Sequence, residues 1–256
     1  MTSPVRNERK RTARQRLDLA LVERGLAESR QRAQALVMAG QVYVDGMQVS
    51  KSGTLVSPDA PIEVRGGLQY VSRGGLKLAH ALNTWRLDVS GFVALDVGAS
   101  TGGFTDCLLQ RGALRVYALD VGYGQLDYRL RQDPRVVVME RVNARHPFEL
   151  PEPVDLATVD VSFISLTLVL PSVAQHLKPG GRIVALVKPQ FEARREQVGR
   201  RGVVKAPHVH AEVLGRVIVW AVDHGFRLRG LVPSPILGDE GNREFLLLLS
   251  WSRVGS

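Results

Sequence analysis

Two apolar runs in this chain end on charges that call for an explanation. Val159 is followed by Asp160 in Val159-Asp160-Val161-Ser162-Phe163, and Val187 by Lys188 in Leu186-Val187-Lys188-Pro189-Gln190-Phe191. A lysine closing an apolar strand is excluded from so buried a place unless it is paired. A carboxylate at the end of an adjoining strand supplies the partner. Together the two can take a proton from a hydroxyl or stabilise the alkoxide that remains. The plainer alternative is a strand-end lysine that reaches solvent.

A glycine-rich turn follows another apolar run. Phe92–Val97 leads into Gly98-Ala99-Ser100-Thr101-Gly102-Gly103, and a helix is expected to begin near Phe104. Such a turn is the usual ligand site of doubly wound sheets. A nucleoside-triphosphate loop needs Gly-Lys-Ser/Thr, and this turn has no lysine. A dinucleotide loop needs a second glycine where Ser100 stands, so that backbone can approach a pyrophosphate. S-adenosylmethionine carries no phosphate, and the requirement disappears. Asp96, near the end of the strand, would repel a pyrophosphate but can meet the amino group of an amino-acid moiety. Asp120, about 24 positions later, ends the next strand, where such folds place an acid on ribose hydroxyls. Asn143, just beyond the third strand, can hydrogen-bond an adenine edge. Taken singly, Asp120 and Asn143 read as turn residues; in register after successive strands they read as ligands. The expected cofactor contacts are Asp96, Gly98, Ala99, Ser100, Thr101, Gly102, Gly103, Phe104, Asp120 and Asn143.

These residues need a sheet to hold them. Phe92–Val97, Arg115–Asp120, Val136–Met139, Asp155–Val159 and Ile183–Val187 are short, β-branched-rich runs separated by amphipathic stretches. That alternation predicts a parallel sheet covered on both faces, with its sites at the carboxyl ends of the strands. Phe226–Val232 and Glu244–Trp251 add two strands after a helix at His208–His224, which makes an α/β, Rossmann-like, mainly parallel seven-stranded sheet. Lys77 falls on a helix before the first strand and Glu244 opens the last. Residue type alone would single out neither. Glu192–Pro207 is rich in Arg and Gly and without periodicity, and reads either as a solvated loop or as a mobile basic loop able to close over a polyanion through Arg194, Arg195, Arg200, Arg201 and Lys205.

The N-terminal part has another character. Residues 1–15 are basic and aperiodic, and are expected to form a disordered arm. Leu17, Leu19, Ala20, Leu21 and Val22 make an apolar helical face that ends at Gly25. Ser29 caps a second helix with Ala33, Leu36, Val37 and Ala39 inward, ended by Gly40. Asp45-Gly46 between alternating runs is a hairpin signal, and Ile62-Glu63-Val64 a closing strand. Arg16–Val49, with its Ser-Arg-x-x-Ala and Ala-Gly-x-Val-x-Val-Asp-Gly runs, resembles the S4-type RNA-binding domain. The resemblance implies recognition of RNA shape, with Arg16, Arg24, Arg30, Arg32 and Lys51 as the cations that would meet phosphates. The expected division is a small α+β domain over 16–65, a linker over 66–72 and the α/β domain over 73–256.

A net charge of +9 favours a polyanionic partner, although basic proteins are common enough that charge alone decides nothing. No apolar run reaches the ~18 residues that span a bilayer, and no apolar stretch follows the basic N-terminus, so no stable membrane association is expected. The one cysteine, Cys107, rules out a disulfide framework and fits a reducing, cytoplasmic setting. His208-Val209-His210 lacks further ligands at useful spacing, so no metal is expected. Aromatic residues are only 6% of the chain, and a base-stacking platform is not evident.

The motifs Ser72-Arg73-Gly74-Gly75-Leu76-Lys77-Leu78, Asp96 to Thr105, Asp120-Val121-Gly122-Tyr123-Gly124-Gln125-Leu126, those around Asp160 and Lys188, and Gly202-Val203-Val204 together resemble the TlyA family, whose catalytic domain is similar to the FtsJ/RrmJ ribose methyltransferases. The resemblance implies a Lys-Asp-Lys-Glu tetrad at Lys77, Asp160, Lys188 and Glu244, and S-adenosylmethionine-dependent 2′-O-methylation of cytidine in ribosomal RNA, 16S, 23S or both. Ribosomal RNA or ribosomal subunits would be the partners. Members of the family are often labelled haemolysins, so a membrane-active protein is one alternative. A non-catalytic RNA-binding assembly factor is another.

Overall fold

The computed structural model describes residues 14–64 and 69–251. Two compact units divide between Gln69 and Tyr70. Most of the expected basic arm and the first part of the expected linker lie outside the described residues.

In chain order the first unit contains β1 (Gln15–Arg16), α1 (Leu17–Glu23), α2 (Arg30–Met38), β2 (Val42–Val44), β3 (Met47–Gln48), β4 (Leu55–Val56) and β5 (Ile62–Val64). Ser29 caps α2 as expected, its Oγ accepting the Arg32 amide at 3.2 Å. Asp45 and Gly46 both take positive φ, the geometry of a two-residue hairpin turn that matches strand twist. Leu17, Leu21, Leu36, Val37, Val42 and Val56 form a small core. The β1–β4 pairing had no sequence signal, and it carries Gln15 into a strand where a disordered arm was expected.

Buried Asp18 ties this unit together. Its carboxylate accepts from Arg16 Nε, Arg30 Nε and Gln34 Nε2, each at 3.0 Å. The Arg16 guanidinium, helped by Gln34 and Arg30, holds Asp18 well below the usual carboxylate range against the opposing effect of burial. Arg24 donates to the carbonyls of Ala60, at 2.6 Å, and Pro58. Three of the cations expected to meet RNA are thus engaged in the fold itself. Arg24 is committed to carbonyls, while Arg16 and Arg30 keep part of their guanidinium surface exposed. The side chains of Arg32 and Lys51 have no such partner among the described residues.

The second unit contains α3 (Gly74–Thr84), β6 (Val93–Val97), α4 (Gly103–Gln110), β7 (Arg115–Asp120), α5 (Tyr128–Gln132), β8 (Val136–Glu140), β9 (Val154–Val159), α6 (Leu170–Ala174), β10 (Leu177–Val187), α7 (Pro189–Glu192), α8 (Pro207–Asp223), β11 (Phe226–Pro233) and β12 (Phe245–Trp251). The strands form one seven-stranded sheet in the order β11-β12-β10-β9-β6-β7-β8. Only β12 runs against its neighbours. Period-two alternation assigns the two cores. Leu95, Val97, Tyr117, Leu119, Ala157, Val159, Ile183 and Ala185 enter one, with Val213 and Val217 of α8. Ala94, Val116, Leu156, Val184 and Leu186 enter the other, with Leu78 and Leu82 of α3 and Leu108 of α4. Each such aliphatic side chain contributes about 1.5–3 kcal/mol on burial, so neither face can spare positions for polar groups. Cys107 is one of the buried α4 residues, and burial pushes its thiol up to about 11, away from nucleophilic chemistry.

Asp96 breaks the apolar alternation of β6. Within the fold it serves the protein's own hydroxyls. Its carboxylate is fully buried, and it accepts from Thr105 Oγ1 of α4 at 2.7 Å and Thr158 Oγ1 of β9 at 2.8 Å. It therefore joins strand, helix and neighbouring strand behind the glycine turn. Burial pushes its pKa up to about 6 while the two hydroxyls pull the other way, and the Asp160 charge adds to the rise.

Two stability predictions follow from these carboxylates. Asp96→Asn cannot ionise; it keeps one hydroxyl contact as an acceptor, and the other survives with the hydroxyl turned to accept from the amide. A raised carboxyl pKa costs stability as pH climbs from the unfolded value, about 4, to the folded one, about 6. The variant should gain about 3 kcal/mol on the natural chain across that window and hold the gain above it. Urea unfolding read by tryptophan fluorescence measures this, because Trp85, Trp220 and Trp251 all lie in the second unit. A gap that does not change with pH would rule the account out. Asp18 has the opposite sign: its contribution is present above about pH 4 and fades as acid protonates it. Asp18→Asn should weaken the first unit by about 2 kcal/mol at neutral pH, seen as faster amide exchange at Val42–Val44 in the full chain.

Candidate active site

The strand ends of the second unit converge on one cleft of about 730 Å³, lined by Gly98, Ser100, Asp120, Asn143, Asp160 and Phe191 among others. Gly98 is what lets the first turn lie so close to the fourth strand end. Its φ is +82°, and a Cβ there would stand 2.4 Å from the Asp160 carbonyl oxygen. The Asp160 amide donates to Val97 O at 2.9 Å, so Asp160 is fixed one step beyond the β9–β6 register.

Lys188 extends from the end of β10. Its Nζ lies 2.7 Å from Asp160 Oδ1 and donates to Ser162 Oγ at 2.8 Å. The contact with Asp160 is a charge contact off the hydrogen-bond direction, so Oδ1 is left without an aligned donor. Both side chains are largely but not wholly withdrawn from solvent, at 13% and 20% exposure. The solvated strand-end lysine is therefore not what the fold contains.

A second ion pair lies behind the first. Lys77 Nζ of α3 donates to Glu244 Oε2 at 2.5 Å, and both residues are buried. The β10–β12 register pairs Val187 with Phe245, so Lys188 and Glu244 occupy the next positions on adjoining strands. Lys77 reaches this point because α3 packs tightly on the start of α4: a Cβ on Gly103 would fall 2.2 Å from Ser72 Oγ and 2.9 Å from the Gly75 nitrogen. Of the four tetrad residues only Asp160 lines the cleft; Lys188 adjoins it through Asp160 and Ser162, and Lys77 and Glu244 are set back from it. The two pairs are linked through strand register, with no direct contact between them among the described residues.

The turn residues divide in the same way. Asp120 accepts the Ser100 amide at 2.8 Å and the Gly122 amide at 2.7 Å, which shapes the rim of the cleft, and Ser100 itself has positive φ. Asn143 lies on the cleft wall, and its Oδ1 accepts the Arg145 amide at 3.0 Å. Ala99, Thr101, Gly102, Gly103 and Phe104 form the turn and the start of α4 but do not line the cleft. Arg194 and Arg195 are exposed on a short turn after α7.

Sequence reasoning missed an aromatic surface at this mouth. Phe163 is 89% exposed, at positive φ, with its ring 4.8 Å from that of Phe191. Lys188 Nζ lies 5.9 Å from the Phe191 ring centre. Glu192 clamps this loop, accepting Ser165 Oγ and the Leu166 amide, each at 2.7 Å, and burial pushes its own pKa up. Low aromatic content hid the feature, because two rings suffice when both are placed at one lip. The nearest signal was Phe163 itself, three residues beyond Asp160.

Among the described residues no group of three or more His, Cys, Asp or Glu could hold a metal ion, and no helix is long and apolar enough to cross a membrane. Residues 70–251 match the FtsJ-like methyltransferase family, and residues 15–62 match the S4 domain. A provisionally assigned rRNA methyltransferase of Bacillus subtilis is 52% identical over 94% of this chain and 88% of its own length. The 16S/23S rRNA (cytidine-2′-O)-methyltransferase TlyA of Mycobacterium tuberculosis is 47% identical over 92% and 90%. A solved structure from Streptococcus thermophilus, provisionally assigned as a hemolysin, superposes with a TM-score of 0.74 at 46% identity, covering 94% of this chain and 90% of that one. The chain belongs to the TlyA family of FtsJ-like methyltransferases that carry an S4 domain.

Proposed function

We propose that this protein transfers the methyl group of S-adenosylmethionine to the ribose 2′-hydroxyl of cytidine in ribosomal RNA. The observation that carries the reading is the Lys188–Asp160 pair, whose carboxylate lines the cleft, backed by Lys77 of α3 with Glu244 beside the adjoining strand. Membership of the family and the substrate named for its M. tuberculosis relative supply the RNA and the cytidine.

The donor set of the cleft suits that cofactor. Two carboxylates, Asp120 and Asp160, line it against one guanidinium, Arg145, so a pyrophosphate would meet net repulsion. Gly98, Ser100, Asp120 and Asn143 would hold the cofactor, and Asp96 supports them from behind. When bound, S-adenosylmethionine supplies a methyl group on a sulfonium, whose sulfur departs as a neutral thioether.

The acceptor hydroxyl is unreactive until its proton is lost, because its pKa lies far above neutral. Lys188 Nζ, as an amine, takes that proton and then, as the ammonium so formed, holds the developing alkoxide. Asp160 orients Lys188 through its buried Oδ1, which lies against the lysine nitrogen. Lys77 and Glu244 set the local charge balance from a desolvated position, where each charge acts at longer range than in water. The ribose oxygen then attacks in line, and the exposed Phe163 offers a face on which the attached base can stack.

Incubation of the purified chain with methyl-labelled S-adenosylmethionine and ribosomal subunits or naked 16S and 23S RNA should place label in RNA. Mass mapping should find it on a cytidine ribose. Label on a base, or none in any RNA, would overturn the proposal. Lys188→Ala should lower kcat by about 10²–10⁴-fold while cofactor and RNA affinities stay within a few-fold. Near-normal turnover in that variant would remove Lys188 from its assigned role.

A further inference from the structure

The Arg- and Gly-rich segment after α7 was expected to be a mobile loop, yet its backbone is pinned. Buried Asn242 accepts the Val204 amide at 3.0 Å and donates to Gly202 O at 2.9 Å. Buried His210 meets Val204 O through Nε2 at 2.8 Å, and the Gly199 amide closes onto Val203 O at 3.1 Å. Between this loop and the turn before β12 lies a cavity of about 820 Å³. Among the described side chains, Arg200, Arg201, Lys205 and Arg243 line it with one carboxylate, Glu240.

None of these four cations is ion-paired among the described residues, whereas Arg115, Arg131, Arg135 and Arg216 of the same unit each meet a carboxylate. Four unpaired cations around one concavity repel one another, and the fold holds them there by backbone bonds rather than by neutralising them. The cavity also adjoins the candidate active site. Arg243 is exposed, and the next residue is Glu244, buried against Lys77. Asn242 therefore anchors the cationic wall within two residues of the tetrad.

We infer that this cavity is a binding site for backbone phosphates of the RNA strand that carries the target nucleotide. The inference rests on the RNA methyltransferase reading of the cleft. Guanidinium forks suit phosphodiester oxygens, and a phosphate at Arg243 with a ribose beside Lys188 belongs to one continuous strand.

Each cation that neutralises a phosphate steepens the fall of RNA affinity with salt by about 0.7–0.9 in the log–log slope. The triple variant Arg200→Ala/Arg201→Ala/Lys205→Ala should therefore flatten that slope by about 2 and weaken binding at least about tenfold at fixed salt. The probe is naked 23S or 16S RNA, whichever the natural chain binds more tightly, and cofactor binding serves as the check on folding. Arg182→Ala/Arg227→Ala/Arg229→Ala removes the same charge at the far end of the sheet, where Arg182 and Arg227 each pair with Ser250, and should leave the slope near that of the natural chain. An unchanged slope in the first variant, or an equal change in both, overturns the inference. So does competition by inorganic pyrophosphate at this cavity without any loss of RNA slope, which would mark a small-anion site. If the natural chain labels no RNA, the methylation reading fails by itself, and the slopes still decide whether this cavity holds RNA.

Discussion

A parallel sheet buried on both faces leaves polar chemistry one place to go. Each strand of the second unit alternates its side chains between two apolar cores, so a charge along its length would be stranded without water. Asp160 and Lys188 lie one step past the last paired residue of their strands, and Glu244 one step before the first of its antiparallel strand, where the cores end and a cleft can open. Asp120 is the terminal residue of its own strand. Sheet register thereby sets the geometry of the site. The close approach of Gly98 to the Asp160 carbonyl is its most restrictive point, since any side chain there would push the cofactor turn away from the fourth strand end.

Asp96 and Asp160 show how position within that frame separates two similar carboxylates. Asp96 is inside the sheet, sealed from solvent and bonded to two hydroxyls, and it joins elements together. Asp160 is two residues further along the chain than the buried Thr158 bonded to Asp96, and it lines the cleft with a charged partner. Lys77 and Glu244 are more deeply buried than the pair they support. Breaking a buried pair by removing one partner leaves the other uncompensated, which makes this second pair a rigid backing for the first.

In the small first unit, charge does structural work that a lean core cannot. Asp18 gathers donors from residues 16, 30 and 34, and Arg24 satisfies carbonyls of the turn before β5. Cations that looked like a phosphate-binding row are therefore partly internal. The contrast with the cavity around Arg200, Arg201, Lys205 and Arg243 is the useful one: the first unit's arginines are spent on holding its fold, whereas these four cations surround one concavity with no ion pair among the described residues.

Much of this was legible in the residues. The strands of the second unit are those that period and β-branching mark, with β10 extending further back, through Gly180 and Gly181, than its apolar run suggests. Ser29 and Asp45-Gly46 act as local stereochemistry requires. Strand-end placement and a glycine turn without phosphate signals pointed to Asp160, Lys188 and a phosphate-free cofactor. What the sequence could not disclose are contacts between distant segments. Lys77 and Glu244 are 167 positions apart, and only the packing of α3 on α4 and the antiparallel β12 bring them together. The role of Asp96, the internal use of Arg24, the exposed Phe163 and the pinned basic loop all depend on what lies opposite each residue in space. Local sequence determined where elements form and which charges stand at their ends, because periodicity and turn stereochemistry act over a few residues. Tertiary structure decided which of those charges are paired, sealed or left open, because desolvation depends on neighbours that the chain supplies from far away.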